Sequence, residues 1–171
     1  MLKTVVAMAE DKILESLCRK ELESIVELFC KAKRIPKVEL VLVGEYKKDK
    51  YFRHDGVNGH YSPSKNRVTV RMGRKKSDMI NTLMHELTHA YQNTYHKDML
   101  DYGMRQQKKY RETYGYQAYY LSVHEQHARV CGDELASMVR RSSNNTSLYR
   151  AFKGYSMEQR FYVLDKESFA V

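Results

Sequence analysis

His85, Glu86 and His89 are the residues best placed to do chemistry, in the stretch LMHELTHAYQ at 83–92. Helical residues four apart share a face, so both imidazoles can turn a nitrogen toward one divalent ion. Glu86 is rotated away from that pair. Its carboxylate can reach a water beside the ion without competing as a ligand, which is where a general base belongs. Ile80, Leu83, Met84, Leu87 and Tyr91 gather on the opposite face, while Asn81 and Gln92 flank the histidines. One apolar face and one face of metal-ligating groups imply a helix half-sunk in a core. A merely solvated polar face is the plain alternative.

The stretch resembles the active-site helix of the zincin metallopeptidases. Their fold has a small sheet with an edge strand ahead of that helix, and RVTVRM at 67–72 matches it. The resemblance is carried by residues 67–93 and 116–136. It implies a zinc hydrolase without specifying a substrate.

A catalytic zinc takes three protein ligands and keeps one position open. The candidates for the third are His96, His124, Glu125 and His127. A metzincin would place a histidine six residues after His89 and a glycine halfway, where this chain has Tyr95 and Gln92. His96 comes one residue late, and a three-histidine site resembling the SprT-like proteases keeps it open. In YLSVHEQHARVCGDELA, residues Ala118, Leu121, Glu125, Ala128, Gly132, Leu135, Ala136 and Val139 form one helical stripe. Glu125 is its only charge, and a carboxylate on an apolar stripe needs a countercharge that zinc would supply. Ala128 and Gly132 leave room for two helices to approach. Geometry favours Glu125, with His124 at the flank as the nearer competitor. His127 lies on the other side with Tyr120, Val123 and Val130, as a packed or hydrogen-bonded core histidine.

Glutamate as third ligand makes the chain look like a gluzincin, similar to the compact intracellular ImmA/IrrE-like enzymes that cleave repressors. It departs from the thermolysin pattern at Arg129, where an aspartate would orient a ligand histidine. That leaves the partner of His85 or His89 unassigned. The resemblance implies Zn2+ on His85, His89 and Glu125, with Glu86 as general base toward a zinc-activated water. Protein or peptide would be the substrate. His60, Tyr61, His124 and Tyr155 are candidates for the donor that steadies the oxyanion. An edge strand at 67–72 would hold an extended peptide, and Arg67 with Arg71 would favour acidic side chains.

The elements that must position these groups read as follows. Ile13, Leu17, Leu22, Ile25, Val26 and Phe29 predict a helix over 9–34, ending before Pro36. VELVLVGEY at 38–46 predicts a strand, 47–66 a loop with a short strand around VNGHYS, and 67–72 a half-exposed strand. Ser77 is expected to cap a helix over 77–93, with Asp78 in its first turn. The segment 94–115 is expected to be partly helical and 116–141 a helix. SSNNTS at 142–147 reads as a loop, and Ser156 to Gln159 as a capping box in a tail, 148–171, that packs on the rest. Together these predict an α+β fold, with a small antiparallel or mixed sheet of three to four strands and helices on one face. A single domain is expected over 1–171.

Composition sets the remaining bounds. With 42% hydrophobic residues the chain can bury a core without disulfide staples. Cys18, Cys30 and Cys131 lack C-x-x-C spacing and suit core packing in a reducing compartment. The opening MLKTVVAMAEDK has too short an apolar patch for a secretory segment, so a cytoplasmic protein is expected, with no membrane partner. A net charge of +9 predicts attraction to polyanions and weak nucleic-acid association through the basic surface. The expectation includes proteolysis of DNA-associated proteins. The rival reading is a non-enzymatic nucleic-acid-binding protein whose histidine helix is structural, with KKYRETYGYQAYY supplying stacking and phosphate contacts. Against it, a structural zinc takes four protein ligands and prefers cysteine.

Overall fold

The computed structural model describes the backbone of residues 2–44, 57–72 and 75–160, with side chains from Cys18 onward. The expected loop across 47–56, the positions of Ile13 and Leu17 side chains, and the tail beyond Arg160 lie outside the described residues.

Helix α1 spans Leu2–Lys33 and buries Leu22, Ile25, Val26 and Phe29. It ends where Arg34 turns left-handed, at φ 54°, and Pro36 forbids another turn. Strands β1 (Glu39–Val43), β2 (Gly59–Ser62) and β3 (Arg67–Arg71) form one sheet in the order β1-β3-β2. β1 is parallel to β3, and β2 is antiparallel to it. The sheet is therefore mixed and three-stranded among the described residues.

This order corrects the place of 67–72. A 3-10 turn at Pro63–Lys65 and a left-handed Asn66 fold β2 back onto β3, so β3 is central and β1 and β2 are its edges. Nor is β3 half exposed, since Val68, Thr69 and Val70 are all fully buried. Arg67 pairs with Glu39 of β1 at 2.9 Å, and Arg71 donates to the Val57 carbonyl ahead of β2.

Helix α2 (Lys76–Tyr95) follows. It begins earlier than expected, with Lys75 at the cap position, so Ser77 sits inside the first turn and its hydroxyl meets Asp78 instead of capping. Helix α3 covers Lys97–Tyr114 in full. The expected helix 116–141 is two helices, α4 (Gln117–Leu121) and α5 (Val123–Arg141), separated by Ser122 in extended conformation. Its hydroxyl donates to the Tyr119 carbonyl, and its carbonyl accepts the Glu125 and Gln126 amides. The break takes Leu121 off the buried stripe, and it is 62% exposed.

Helix α6 (Asn145–Gly154) begins within the expected 142–147 loop. Asn144 and Ser147 form a reciprocal capping box there. Phe152 of α6 meets Phe29 of α1 edge to face, at 5.6 Å between centroids. At the other end of that segment the Ser156 hydroxyl engages Glu158, and helical backbone resumes at Gln159 and Arg160.

The fold is thus α+β, and α2 is its axis. One sheet face, with Val68, Val70, Leu40, Leu42 and Tyr61, packs into the same core as Leu83, Met84 and Leu87 of α2 and Leu135 of α5. Among the described residues no helix is long and apolar enough to cross a membrane.

Candidate metal centre

Two glycines bring the surrounding elements close to α2. A Cβ on Gly132 of α5 would lie 3.0 Å from His85 Cα, so the two helix backbones touch at the height of that histidine. A Cβ on Gly59 of β2 would lie 2.4 Å from Thr82 Cγ2 and 3.3 Å from Glu86 Cγ, so the edge strand lies directly on the base. Larger residues would hold these elements apart.

In that space His85, His89 and Glu125 converge. Nε2 of His85 is 3.2 Å from Oε2 of Glu125, and Nε2 of His89 is 3.5 Å from Oε1. The two imidazole nitrogens are 3.2 Å apart, and all three ligand atoms lie within 4.8 Å of one another. Three such donors could close on one ion with a small adjustment.

The buried neighbours fix which nitrogen faces inward. His89 Nδ1 meets Gln92 Oε1 at 2.8 Å, so Nδ1 carries a proton and Nε2 points to the centre. The Gln92 amide donates to the His124 carbonyl and to His127 Nδ1, each at 2.9 Å. His127 then donates from Nε2 to the Met157 carbonyl at 3.1 Å. His127 is therefore a hydrogen-bonded core histidine, and Gln92 is the partner that orients a ligand imidazole.

The charges follow from this packing. Burial works against charge on both His89 and Glu125, but each outweighs it for the other. Glu125, by hydrogen bond and charge, lifts the His89 pKa to about 9. The two imidazoles hold the Glu125 carboxyl well below the usual range. Burial pushes Glu86 up, against the pull of His89 and His85, and the Tyr61 backbone N–H donates to its carboxylate. A base with a raised pKa beside the centre is suited to taking and returning a proton.

The donor set fits a resident metal. Two imidazole nitrogens and one carboxylate are the protein share of a catalytic zinc site. Among the described residues, buried Glu125 Oε2 has the His85 imidazole at 3.2 Å and no other hydrogen-bond partner, as a ligand oxygen facing a cation site would.

His124 lies close, with Nε2 3.6 Å from Glu125 Oε1, and its ring is seated against Gly103. Burial lowers its pKa to about 4, so it is neutral. His96 stays at the end of α2 beside Tyr91, outside the converging group. Among the candidate oxyanion donors, Tyr61 is committed to Asn66 and Asn93, and Tyr155 lies away from the centre beside Cys131, Glu134 and Arg160. His60 lies on β2, where burial lowers its pKa. Among the described residues, Tyr119 is the tyrosine that lies beside Glu125. Burial, then the charge and hydrogen bond of Glu125, push its phenol pKa far up and keep it an O–H donor. Nothing in the sequence distinguishes Tyr119 among 14 tyrosines. Gln92 was legible as a polar neighbour of His89, but not as its bonding partner.

Searches with this chain found no matching protein-family model, no matching curated protein and no matching solved structure.

Proposed function

We propose that this chain is a zinc-dependent metallopeptidase of a minimal, gluzincin-like design, acting in the cytoplasm. The observation that carries the reading is the convergence of His85, His89 and Glu125 beside a buried Glu86. Free, largely buried Cys30 and Cys131 suit a reducing compartment.

Zinc held by His85, His89 and Glu125 would acidify a water toward neutrality and polarise a scissile carbonyl. Glu86 is placed to take a proton from a water at that centre and would return it to the departing amine. Tyr119 offers its O–H to the developing oxyanion. Gln92 keeps the His89 Nδ1 proton in place, so that Nε2 remains a ligand. An extended peptide would pair with the edge strand β2, which lies on Glu86 through Gly59.

The test compares metal content and cleavage of an unfolded protein by the parent, Glu86→Gln, Tyr119→Phe and Glu125→Ala. Glu86→Gln is expected to keep zinc and lose hydrolysis by about a hundredfold or more. Tyr119→Phe should keep zinc with a lower kcat. Glu125→Ala should lose zinc as well. Parental cleavage by Glu86→Gln would overturn the mechanism, and parental zinc affinity in Glu125→Ala would move the third ligand to His124.

A further inference from the structure

The helical pair α3–α4 carries side chains that neither the core nor the metal centre uses. α3 buries only Leu100 and Gly103, and α4 only Ala118. Every residue from Lys108 through Gln117 is exposed. Tyr110, Tyr114, Tyr116 and Tyr120 stand on this projection at 40%, 50%, 72% and 48% exposure. So much clustered aromatic surface in water marks an interaction site.

The cations on the same segment define the partner. Arg105, Lys108, Lys109 and Arg111 interleave with the rings, against Glu112. Among the described residues Arg105, Lys108 and Arg111 make no ion pair. Lys109 lies over the Tyr110 ring at 5.3 Å, and Arg129 of α5 over Tyr120 at 5.0 Å. Tyr116 and Tyr119 are nearly parallel, at 17°, with centroids 5.6 Å apart. A protein partner would favour an apolar centre with charge at the rim. Rings alternating with cations instead suit a chain that alternates flat bases with phosphates.

We propose that the α3–α4 hairpin is a binding surface for single-stranded nucleic acid. Unpaired bases stack on Tyr110, Tyr114 and Tyr116, while Arg105, Lys108, Lys109 and Arg111 neutralise phosphates. A duplex hides its base faces and would gain only the charge contacts. The surface adjoins the metal centre, because Gly103 of α3 seats the His124 ring and Tyr119 of α4 meets Glu125. A bound strand therefore lies beside the proposed catalytic residues. The binding itself stands whether or not the chain is a peptidase.

The test is fluorescence anisotropy of the full chain with short labelled oligo(dT), oligo(rU) and a duplex of equal length, over a salt series. One variant combines Tyr110→Ser, Tyr114→Ser and Tyr116→Ser; another combines Lys108→Ala, Lys109→Ala and Arg111→Ala. All six side chains are exposed, and circular dichroism checks that both variants fold. The parent should bind at least one single strand more tightly than the duplex, and the two single-strand arms separate DNA from RNA. The tyrosine variant should weaken single-strand binding about tenfold or more and leave the duplex unchanged. The cation variant should weaken every arm and flatten the log–log salt slope by about 2. Parental single-strand affinity in the tyrosine variant, or equal affinity for duplex and single strand, would overturn the proposal. So would self-association of the parent that is lost in the tyrosine variant while no oligonucleotide binds.

Discussion

The side-chain oxygen of Gln92 stands 2.8 Å from Nδ1 of His89, one helical turn further along α2. That contact sets the tautomer of His89, and the other end of the same amide is held by His127 and the His124 carbonyl of α5. The ligand imidazole is thus oriented by a group that both helices grip.

Removing that group should cost metal before it costs fold. Gln92→Ala frees the His89 ring and leaves the His127 nitrogen buried without its donor. Loss of such an outer partner weakens metal affinity by about 10–100-fold. The unmet buried groups add a loss of roughly 1–3 kcal/mol in stability. Zinc competition against a chromophoric chelator and a thermal melt read the two effects separately. Unchanged zinc affinity in Gln92→Ala would mean that His89 does not depend on this amide.

Gly132 gives a second way to disturb the centre without touching a ligand. A Cβ there would stand 3.0 Å from His85 Cα and 3.1 Å from its nitrogen, so the backbone of α2 has to give. Alanine gains about 1 kcal/mol over glycine in a helix interior, whereas overpacking costs roughly 1–3 kcal/mol. Gly132→Ala should therefore change stability little, within about 2 kcal/mol on those magnitudes. It carries Glu125 away from His85, and zinc affinity should fall about tenfold. Gly154→Ala is the control, since nothing lies within 4 Å of its would-be Cβ. Equal zinc binding in the two variants would show that close helix approach does not build the site.

Glu125 was legible in the sequence because a lone charge on an apolar stripe calls for compensation, and Gly132 because a small residue on that stripe permits close approach. Both readings depend on periodicity alone. The Gln92 bridge depends on a rotamer that spans to His127 on another helix, which periodicity does not encode. The alternation of Val68 and Val70 identified a strand correctly. It could not reveal that β1 and β2 would flank it, because pairing depends on the turn at Pro63–Lys65 and on strand β1 far upstream. SSNNTS reads as a loop because the residues that favour turns also favour helix N-caps, and Asn144 serves as the second. The break at Ser122 is equally local, made by one hydroxyl bonding back to Tyr119.

The ionic pairing within the centre predicts how the metal-free protein responds to pH. Glu125 has a folded pKa below its ordinary 4.5, so its stabilisation is present above that pH and is lost as pH falls through the folded value. His89 has a folded pKa of about 9 against an ordinary 6.5, so its stabilisation is full below 6.5 and disappears as pH rises through 9. The contribution of this pair to the stability of the chelator-treated protein is therefore greatest between 4.5 and 6.5 and falls toward both sides, while His124 and His127, held neutral down to about 4 by burial, oppose it as pH drops below 6.5. A metal changes the alkaline side. It needs the Nε2 lone pair of His89, so binding below pH 9 expels a proton and affinity rises with pH. Thermal melts across pH, with chelator and with zinc, should separate by a margin that widens from acid toward alkaline conditions. Calorimetric titration in two buffers of different ionisation enthalpy should count the released proton. A metal-free Tm that stays flat from pH 6.5 to 9 would show that His89 and Glu125 do not form this pair in solution.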